Sequence, residues 1–307
     1  MIYTSVSEMT GRTPLLELTN TEKALNLPAR ILAKCEFMNP TGSAKDRAAR
    51  EIIDDYERKG LLGPGGVVIE ATSGNTGIGL ASVCASRGYH AMIIMPDTMS
   101  EERIRLMRAY GADVVLSDGK KGMAGSLEKV AELKEKYPDA VEAGQFVNPS
   151  NAEAHYKTTG PEIWEDSEGK ADIFVAGVGT GGTFTGITRY LKEKNPELTA
   201  VAVEPDTSPL LSKGIAGPHG LQGIGANFIP EVLDRTLIDE ILCITDEEAY
   251  EASRMLGKRE GIMTGITSGA AVCAAVKLSL RPENKGKTIV TVLPDSGDRY
   301  LSGNLYG

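Results

Sequence analysis

Residues 173–183 read Ile173-Phe174-Val175-Ala176-Gly177-Val178-Gly179-Thr180-Gly181-Gly182-Thr183, and a helical pattern continues from there to Glu193. Four consecutive apolar residues without alternation suit a strand covered on both faces. The glycines then end the strand and let backbone N–H groups turn toward a ligand at the start of the next helix. The same order of strand, turn and helix recurs at Val67–Ala71, Thr72–Gly77 and Thr76–Arg87. Further β-rich runs lie at Arg30–Cys35, Ala91–Met95, Asp113–Leu116, Ala200–Val203, Glu240–Ile244 and Thr288–Leu293. Helical stretches alternate with them, at Ala44–Lys59, Glu101–Tyr110, Ser126–Tyr137, Asp246–Glu260 and Gly269–Leu280. This alternation predicts an α/β protein whose ligands lie outside the carboxyl ends of its strands. A chain of 307 residues exceeds the usual single core, so two domains or one large α/β unit are expected.

Composition narrows the partners. A net charge of −9 with no basic run argues against a nucleic-acid partner, and 41% hydrophobic residues suffice for a buried core. Cys35, Cys84, Cys243 and Cys273 form no C-x-x-C pair, which favours buried thiols in a reducing compartment over a disulfide framework or zinc site. Met1–Pro14 lacks a signal-peptide core, and runs such as Ala91–Met95 are far too short to span a bilayer. A cytoplasmic protein with no membrane partner is therefore expected. His90 and His219 show no ligand spacing, His155 reads as structuring a helix start, and no metal is expected. Asp295-Ser296-Gly297-Asp298 reads as a turn after a strand, and Glu101, Glu102, Arg103 and Arg105 as a solvated helix face.

Three turns carry the chemistry. In Asn39-Pro40-Thr41-Gly42-Ser43-Ala44-Lys45-Asp46-Arg47, Ser43 can cap the following helix, which places Lys45 in its first turn. The helix dipole disfavours a cation there, as suits a Schiff-base amine or general base, although for the isolated motif a surface lysine beside a cap is the favoured reading. Thr72-Ser73-Gly74-Asn75-Thr76-Gly77 offers three hydroxyls and an amide where one cap needs a single hydroxyl, so it reads as a nest for a carboxylate-sized anion. In the third turn, Gly177, Gly179 and Gly182 satisfy G-x-G-x-x-G, with Glu204 about 20 residues beyond, as in a dinucleotide site. Two threonine hydroxyls at the same helix start suit a phosphate monoester instead. The motif alone leaves a nicotinamide-dependent dehydrogenase open.

Taken together, these stretches resemble the cysteine synthase (O-acetylserine sulfhydrylase) family, within the tryptophan-synthase-β-like, fold type II pyridoxal-phosphate enzymes. The resemblance runs from Gly11-Arg12-Thr13-Pro14-Leu15 to Asp298-Arg299-Tyr300-Leu301. It implies two α/β domains, each a mostly parallel twisted sheet flanked by helices, with the active site in the cleft between them. Residues 36–146 would form the smaller domain with the carboxylate loop, and 1–35 with 147–307 the larger one with the phosphate cradle. It further implies pyridoxal 5′-phosphate on Lys45 as a Schiff base, with Lys45 also the catalytic base. Thr72, Ser73, Asn75 and Thr76 match the loop that grips the substrate carboxylate, Asn75 also facing the cofactor's phenolic oxygen. Gln145 matches a second carboxylate contact. Gly179, Thr180, Gly181, Gly182 and Thr183 match the phosphate cradle, which turns the third turn away from the dehydrogenase. Ser268 matches the partner of the pyridine nitrogen, though alone it reads as a helix cap. Gly223 to Ala226 match a loop lining the mouth of the site. Three departures stand out: Ala71 where proline is common, Asn227 where glycine is usual, and Thr41-Gly42 in place of Ser or Gly.

The chemistry so implied is β-replacement: O-acetyl-L-serine and sulfide give L-cysteine and acetate. A serine opposite the ring nitrogen leaves it largely neutral, a weaker electron sink that favours loss of a group from Cβ over transamination. Related readings keep the fold and change the reaction, to cysteine desulfhydrase, cystathionine β-synthase, β-cyanoalanine synthase or O-phosphoserine sulfhydrylase. The resemblance also implies a homodimer and a possible partner in the C-terminal tail of serine acetyltransferase. Binding that tail without turnover is the non-enzymatic alternative.

Overall fold

The computed structural model describes residues 2–307. They divide into two compact units. The smaller comprises Asn39–Asn151 with the N-terminal segment up to Thr10, and the larger Gly11–Met38 with Ala152–Gly307. In chain order the strands are β1 (Leu15–Glu17), β2 (Arg30–Cys35), β3 (Val67–Ala71), β4 (His90–Pro96), β5 (Asp113–Ser117), β6 (Val141–Glu142), β7 (Ile173–Gly177), β8 (Thr199–Pro205), β9 (Glu240–Ile244) and β10 (Thr288–Leu293).

In the larger unit six strands form one sheet in the order β1-β2-β10-β7-β8-β9. All neighbours are parallel except β1, which runs antiparallel to β2 at the edge. Side chains alternate across this sheet with period two. Ile173, Val175, Val201, Val203 and Ile289 enter one core, whereas Phe174, Ala176, Ala200, Ala202 and Val290 enter the other. Both faces are thus covered, which is why these strands read as unbroken apolar runs. Phe174 on β7 meets Phe184 in the Gly182–Lys194 helix, ring centroids 6.0 Å apart. Both are fully buried, each stabilising by about 2–3 kcal/mol, and they anchor the helix start against the strand.

The smaller unit repeats the plan with four parallel strands in the order β5-β4-β3-β6. Val68, Ile93 and Met95 pack on one face, and Ile69, Met92 and Ile94 on the other.

In each sheet the connections change direction once. From β7 the chain steps outward to β8 and β9, then returns to lay β10 on the other side of β7. From β3 it steps to β4 and β5, then returns to lay β6 on the other side of β3. The loops leaving β7 and β10, and those leaving β3 and β6, therefore diverge and leave a crevice at the carboxyl ends of the strands. The glycine-rich turns after β3 and β7 sit at those two points.

Sequence patterning misses β1, β6 and the helices Thr19–Leu25, Ser150–Ala154 and Gly160–Asp166. The strands are three and two residues long, too short to show a period. Between the last two helices His155–Thr159 forms a π-helical turn, which breaks the 3.6-residue repeat.

Candidate functional site

In the smaller unit the Thr72 N–H still pairs with the Ile94 carbonyl at 2.9 Å, so the turn begins on a strand-like support. The Asn75–Arg87 helix follows with Gly74 as its N-cap and no side-chain cap among the described residues. No side chain among them caps the first-turn N–H groups of that helix, and the Gly77 N–H turns back to the Gly74 carbonyl at 3.2 Å. Thr72 Oγ1 accepts the Gly74 N–H at 3.3 Å. Thr76 Oγ1 donates to Gln145 Oε1 at 2.6 Å, and both residues are buried. Gln145 belongs to the loop after β6, so this bond spans the crevice between β3 and β6. Ser73 and Asn75 are half-buried beside them. The Ser73 carbonyl accepts from Arg103 Nη1 at 3.2 Å. Arg103 is therefore not part of a purely solvated face, as expected from sequence; it braces the turn.

Lys45 is the first residue of the Lys45–Arg58 helix and is half-buried. Ala44, not Ser43, holds the cap position, yet the Ser43 hydroxyl accepts the Lys45 N–H at 3.3 Å. Asp46 closes the preceding turn by accepting both the backbone N–H and the hydroxyl of Thr41. A Cβ on Gly79 would lie 3.2 Å from the Lys45 carbonyl oxygen. Glycine there lets the Asn75–Arg87 helix close on the Lys45 helix and sets both helix starts in one unit.

In the larger unit Gly181 is the N-cap of the Gly182–Lys194 helix, with φ +85° and no side-chain cap among the described residues. Thr180 Oγ1 accepts the Gly182 N–H at 3.4 Å, and Thr183 Oγ1 pairs with His155 Nε2 at 3.1 Å. The other ring nitrogen of His155 pairs with Thr159 Oγ1 at 2.8 Å. His155 thus does more than start a helix; it fixes the Thr183 hydroxyl. A Cβ on Gly179 would stand 2.2 Å from the Gly223 carbonyl oxygen, so only glycine permits this approach. The Gly225 N–H bonds the Val178 carbonyl at 3.0 Å, holding the Gly223–Ala226 loop over the turn. That loop also reaches the Ile266–Ser279 helix, because a Cβ on Gly223 would lie 3.2 Å from Thr267 Cγ2.

Ser268 is the third residue of that helix, whose N-cap is Gly265, so it is not the cap that isolated reading suggested. It is fully buried, and among the described residues its hydroxyl has no hydrogen-bond partner. Glu204 has an occupation that does not need a ribose. Buried at the end of β8, it accepts the Leu211 N–H at 2.7 Å and the Ser212 N–H at 3.1 Å.

The two groups suit the parts of pyridoxal phosphate. An open helix start with hydroxyls from Thr180 and Thr183 suits a phosphate monoester. The orphaned Ser268 hydroxyl suits a ring nitrogen that can accept its proton. Burial pushes the Cys35 and Cys84 thiols up to about 12 and Cys273 to about 11, so none of these thiols offers a thiolate nucleophile near neutral pH.

Comparison with known proteins agrees. The family profile of pyridoxal-phosphate-dependent enzymes matches residues 6–295. The chain belongs to that family. It is 48% identical over 303 residues to a cysteine synthase of Staphylococcus aureus strain N315, spanning 98% of this chain and 96% of the relative. Two Entamoeba histolytica structures superpose over the whole chain. A cysteine synthase (OASS) gives a TM-score of 0.97 at 45% identity over 91% of its length. An O-acetylserine sulfhydrylase isoform gives 0.96 at 47% over 92%.

Sequence reasoning overlooked Glu70. Burial pushes its carboxyl from 4.5 up to about 7, against the opposing pull of hydrogen bonds from Gly144 and Gln145. An acid inside Val67-Val68-Ile69-Glu70-Ala71, a strand covered on both faces, was the available signal.

Proposed function

We propose that the protein is a cysteine synthase that replaces the acetoxy group of O-acetyl-L-serine with sulfide, releasing acetate and L-cysteine. The observation that carries this reading is the 48% identity to the S. aureus enzyme over 98% of the chain. The bond arithmetic closes without a redox partner: hydrosulfide supplies the new C–S bond and its proton, and the C–O bond breaks to acetate.

The residues divide the work. Lys45 would hold pyridoxal phosphate covalently through its amine, Asn75 would face the phenolic oxygen, and Ser268 would donate to the ring nitrogen. Gly179, Thr180, Gly181, Gly182 and Thr183 would hold the phosphate. Bound there, the cofactor supplies an electron sink for the bonds at Cα, which acidifies the Cα proton and eases departure of the Cβ substituent. Thr72, Ser73, Thr76 and Gln145 orient the substrate by its carboxylate through hydroxyl and amide donors. Gly223 lines the mouth of the site. Lys45 Nζ takes the Cα proton as general base.

The same reading makes the enzyme cytoplasmic and homodimeric, with the C-terminal tail of serine acetyltransferase as a partner. That part rests on the likeness to cysteine synthases; among the described residues, no helix is long and apolar enough to cross a membrane.

The test is turnover by the purified protein with O-acetyl-L-serine and sulfide, against O-phosphoserine and serine as donors. Lys45→Ala should lower L-cysteine formation by at least about 10³-fold. Undiminished activity in that variant would end the assignment. Faster release of sulfide from L-cysteine than its synthesis would make the protein a desulfhydrase instead.

A further inference from the structure

Glu70 stands on β3 two residues before the Thr72–Thr76 turn and is only 3% exposed. Burying a carboxylate between two apolar layers is costly unless it is fully hydrogen-bonded. Its donors all come from one place. Oε2 accepts the Gly144 N–H at 2.7 Å, and the neighbouring backbone and side-chain amides of Gln145 favour the charged form of the same carboxylate.

This choice of partner has a geometric consequence. A carboxamide has one donor end and one acceptor end. With its NH2 turned to Glu70, Gln145 must present Oε1 on the other side, where it accepts the Thr76 hydroxyl at 2.6 Å. The flipped rotamer would set the amide oxygen against a carboxylate, and the Thr76 hydroxyl would have to turn and accept from the NH2 instead of donating. The charge on Glu70 thus selects one of two amide orientations, and that orientation directs the Thr76 proton. The Gln145 carbonyl is pinned separately by Asn151 Nδ2 at 2.8 Å, so the backbone stays in place while the amide end answers to Glu70.

We infer that Glu70 is a positioning residue for substrate binding: its ionised carboxylate locks Gln145 and, through it, Thr76 in the arrangement that receives the substrate carboxylate. The inference rests on the assignment of Gln145 and Thr76 to that carboxylate. The charged group that faces the acid is Glu142, which has two partners of its own. Glu142 on β6 opposes its ionisation, Lys134 of the Gly122–Lys136 helix holds Glu142 at 3.0 Å, and Tyr56 of the Lys45–Arg58 helix donates to the Glu142 carbonyl at 2.6 Å. Because burial places the carboxyl at about 7, protonation on the acid side releases the amide within an accessible pH range.

The experiment compares wild type, Glu70→Gln, Gln145→Ala and the double variant as holoenzymes. Steady-state constants for O-acetyl-L-serine are measured together with the dissociation constant of L-serine, which carries the same carboxylate and a poor leaving group. Glu70→Gln should raise both KM and that dissociation constant about tenfold, the size of one lost charged hydrogen bond, with kcat changed less than about twofold. Wild type should show a fall in kcat/KM below about pH 7, and Glu70→Gln should remove it. The double variant should be no worse than Gln145→Ala, because the two residues act in series. If Gln145→Ala leaves both constants unchanged, the carboxylate assignment fails and takes this inference with it. If Gln145→Ala shifts them but Glu70→Gln does not, or the effects add, the role of Glu70 alone is overturned. A Glu70→Gln protein that loses thermal stability while KM and the acid limb are retained overturns it equally.

Discussion

Ser268→Ala separates a structural hydroxyl from one kept for a ligand. The Ser268 side chain is fully buried, and its oxygen bonds to none of the described residues. Burying such a hydroxyl costs about 1–3 kcal/mol, and alanine in a helix is better than serine by about 0.5 kcal/mol. Opposing these is the small void left by one oxygen. The cofactor-free protein should therefore gain about 1–2 kcal/mol, a rise in Tm of about 2–4 °C for a chain of this size. With pyridoxal phosphate bound the sign reverses. The variant then lacks a net hydrogen bond of about 1 kcal/mol and leaves the ring nitrogen buried without its donor, so cofactor affinity should fall roughly 10- to 100-fold.

The assay is a thermal denaturation cycle on wild type and Ser268→Ala, each stripped of cofactor and then reconstituted at several cofactor concentrations. Linkage makes the stabilisation at saturation grow with the ratio of ligand to dissociation constant, so the cofactor-dependent rise in Tm should shrink while the cofactor-free Tm climbs. A cofactor-free Tm that drops as far as the reconstituted one would refute the reasoning. Ser268 would then be stabilising the helix itself, and its hydroxyl would have a partner in the folded protein after all.

Gly179→Ala should be far more disruptive, because the new Cβ would meet the backbone oxygen of Gly223 at 2.2 Å. Loss of cofactor retention by tenfold or more, measured by dialysis against buffer, is expected; unaltered retention would mean that the Gly223 loop is free to move away. Glu70 should also leave a mark on global stability. Its carboxyl titrates at about 7 in the fold and 4.5 when exposed, so its contribution is fully present below pH 4.5 and is lost as pH rises through 7. Denaturant unfolding at pH 6 and pH 8.5 should show a loss of about 1.4 kcal/mol that Glu70→Gln abolishes. An identical pH profile in that variant would assign the loss elsewhere.

Much of the fold is legible because parallel strands covered on both faces need unbroken apolar runs. Arg30–Cys35, Val67–Ala71, Glu240–Ile244 and Thr288–Leu293 are strands with the same bounds that patterning predicts. What patterning cannot supply is partnership. Nothing local says that Gln145 meets Thr76, because the two are brought together only when β6 is laid beside β3. The same holds for Thr183 and His155, whose contact depends on a π-helical turn that no periodicity announces. Arg103 reads as surface because its helix is polar on that side, yet its long side chain reaches a backbone carbonyl in the turn.

Helix starts show where chemistry overrides local preference. The Asp246–Glu260 helix, which carries none of the proposed site residues, begins with a full capping box of Thr245 and Glu248. The helices that carry Asn75 and Thr76, Gly182 and Thr183, and Ser268 all begin at glycine, at Gly74, Gly181 and Gly265, without a side-chain cap among the described residues. Glycine costs backbone entropy and supplies no side-chain oxygen to the first-turn N–H groups, so each choice destabilises the isolated helix. At Gly74 it also leaves open space beside the helix start. At Gly265 packing alone requires glycine: serine there should fail to stabilise the protein despite improving the cap, because a Cβ would lie 2.0 Å from Asp295 Oδ1. Gly74 is the contrasting position, with open space within 4 Å of its missing Cβ. Gly74→Ser should therefore raise the Tm of the cofactor-free protein by satisfying a first-turn donor, while weakening substrate binding by taking that donor from the carboxylate. A serine that raised both would show that the Thr72–Thr76 turn keeps its glycine for some reason other than the anion.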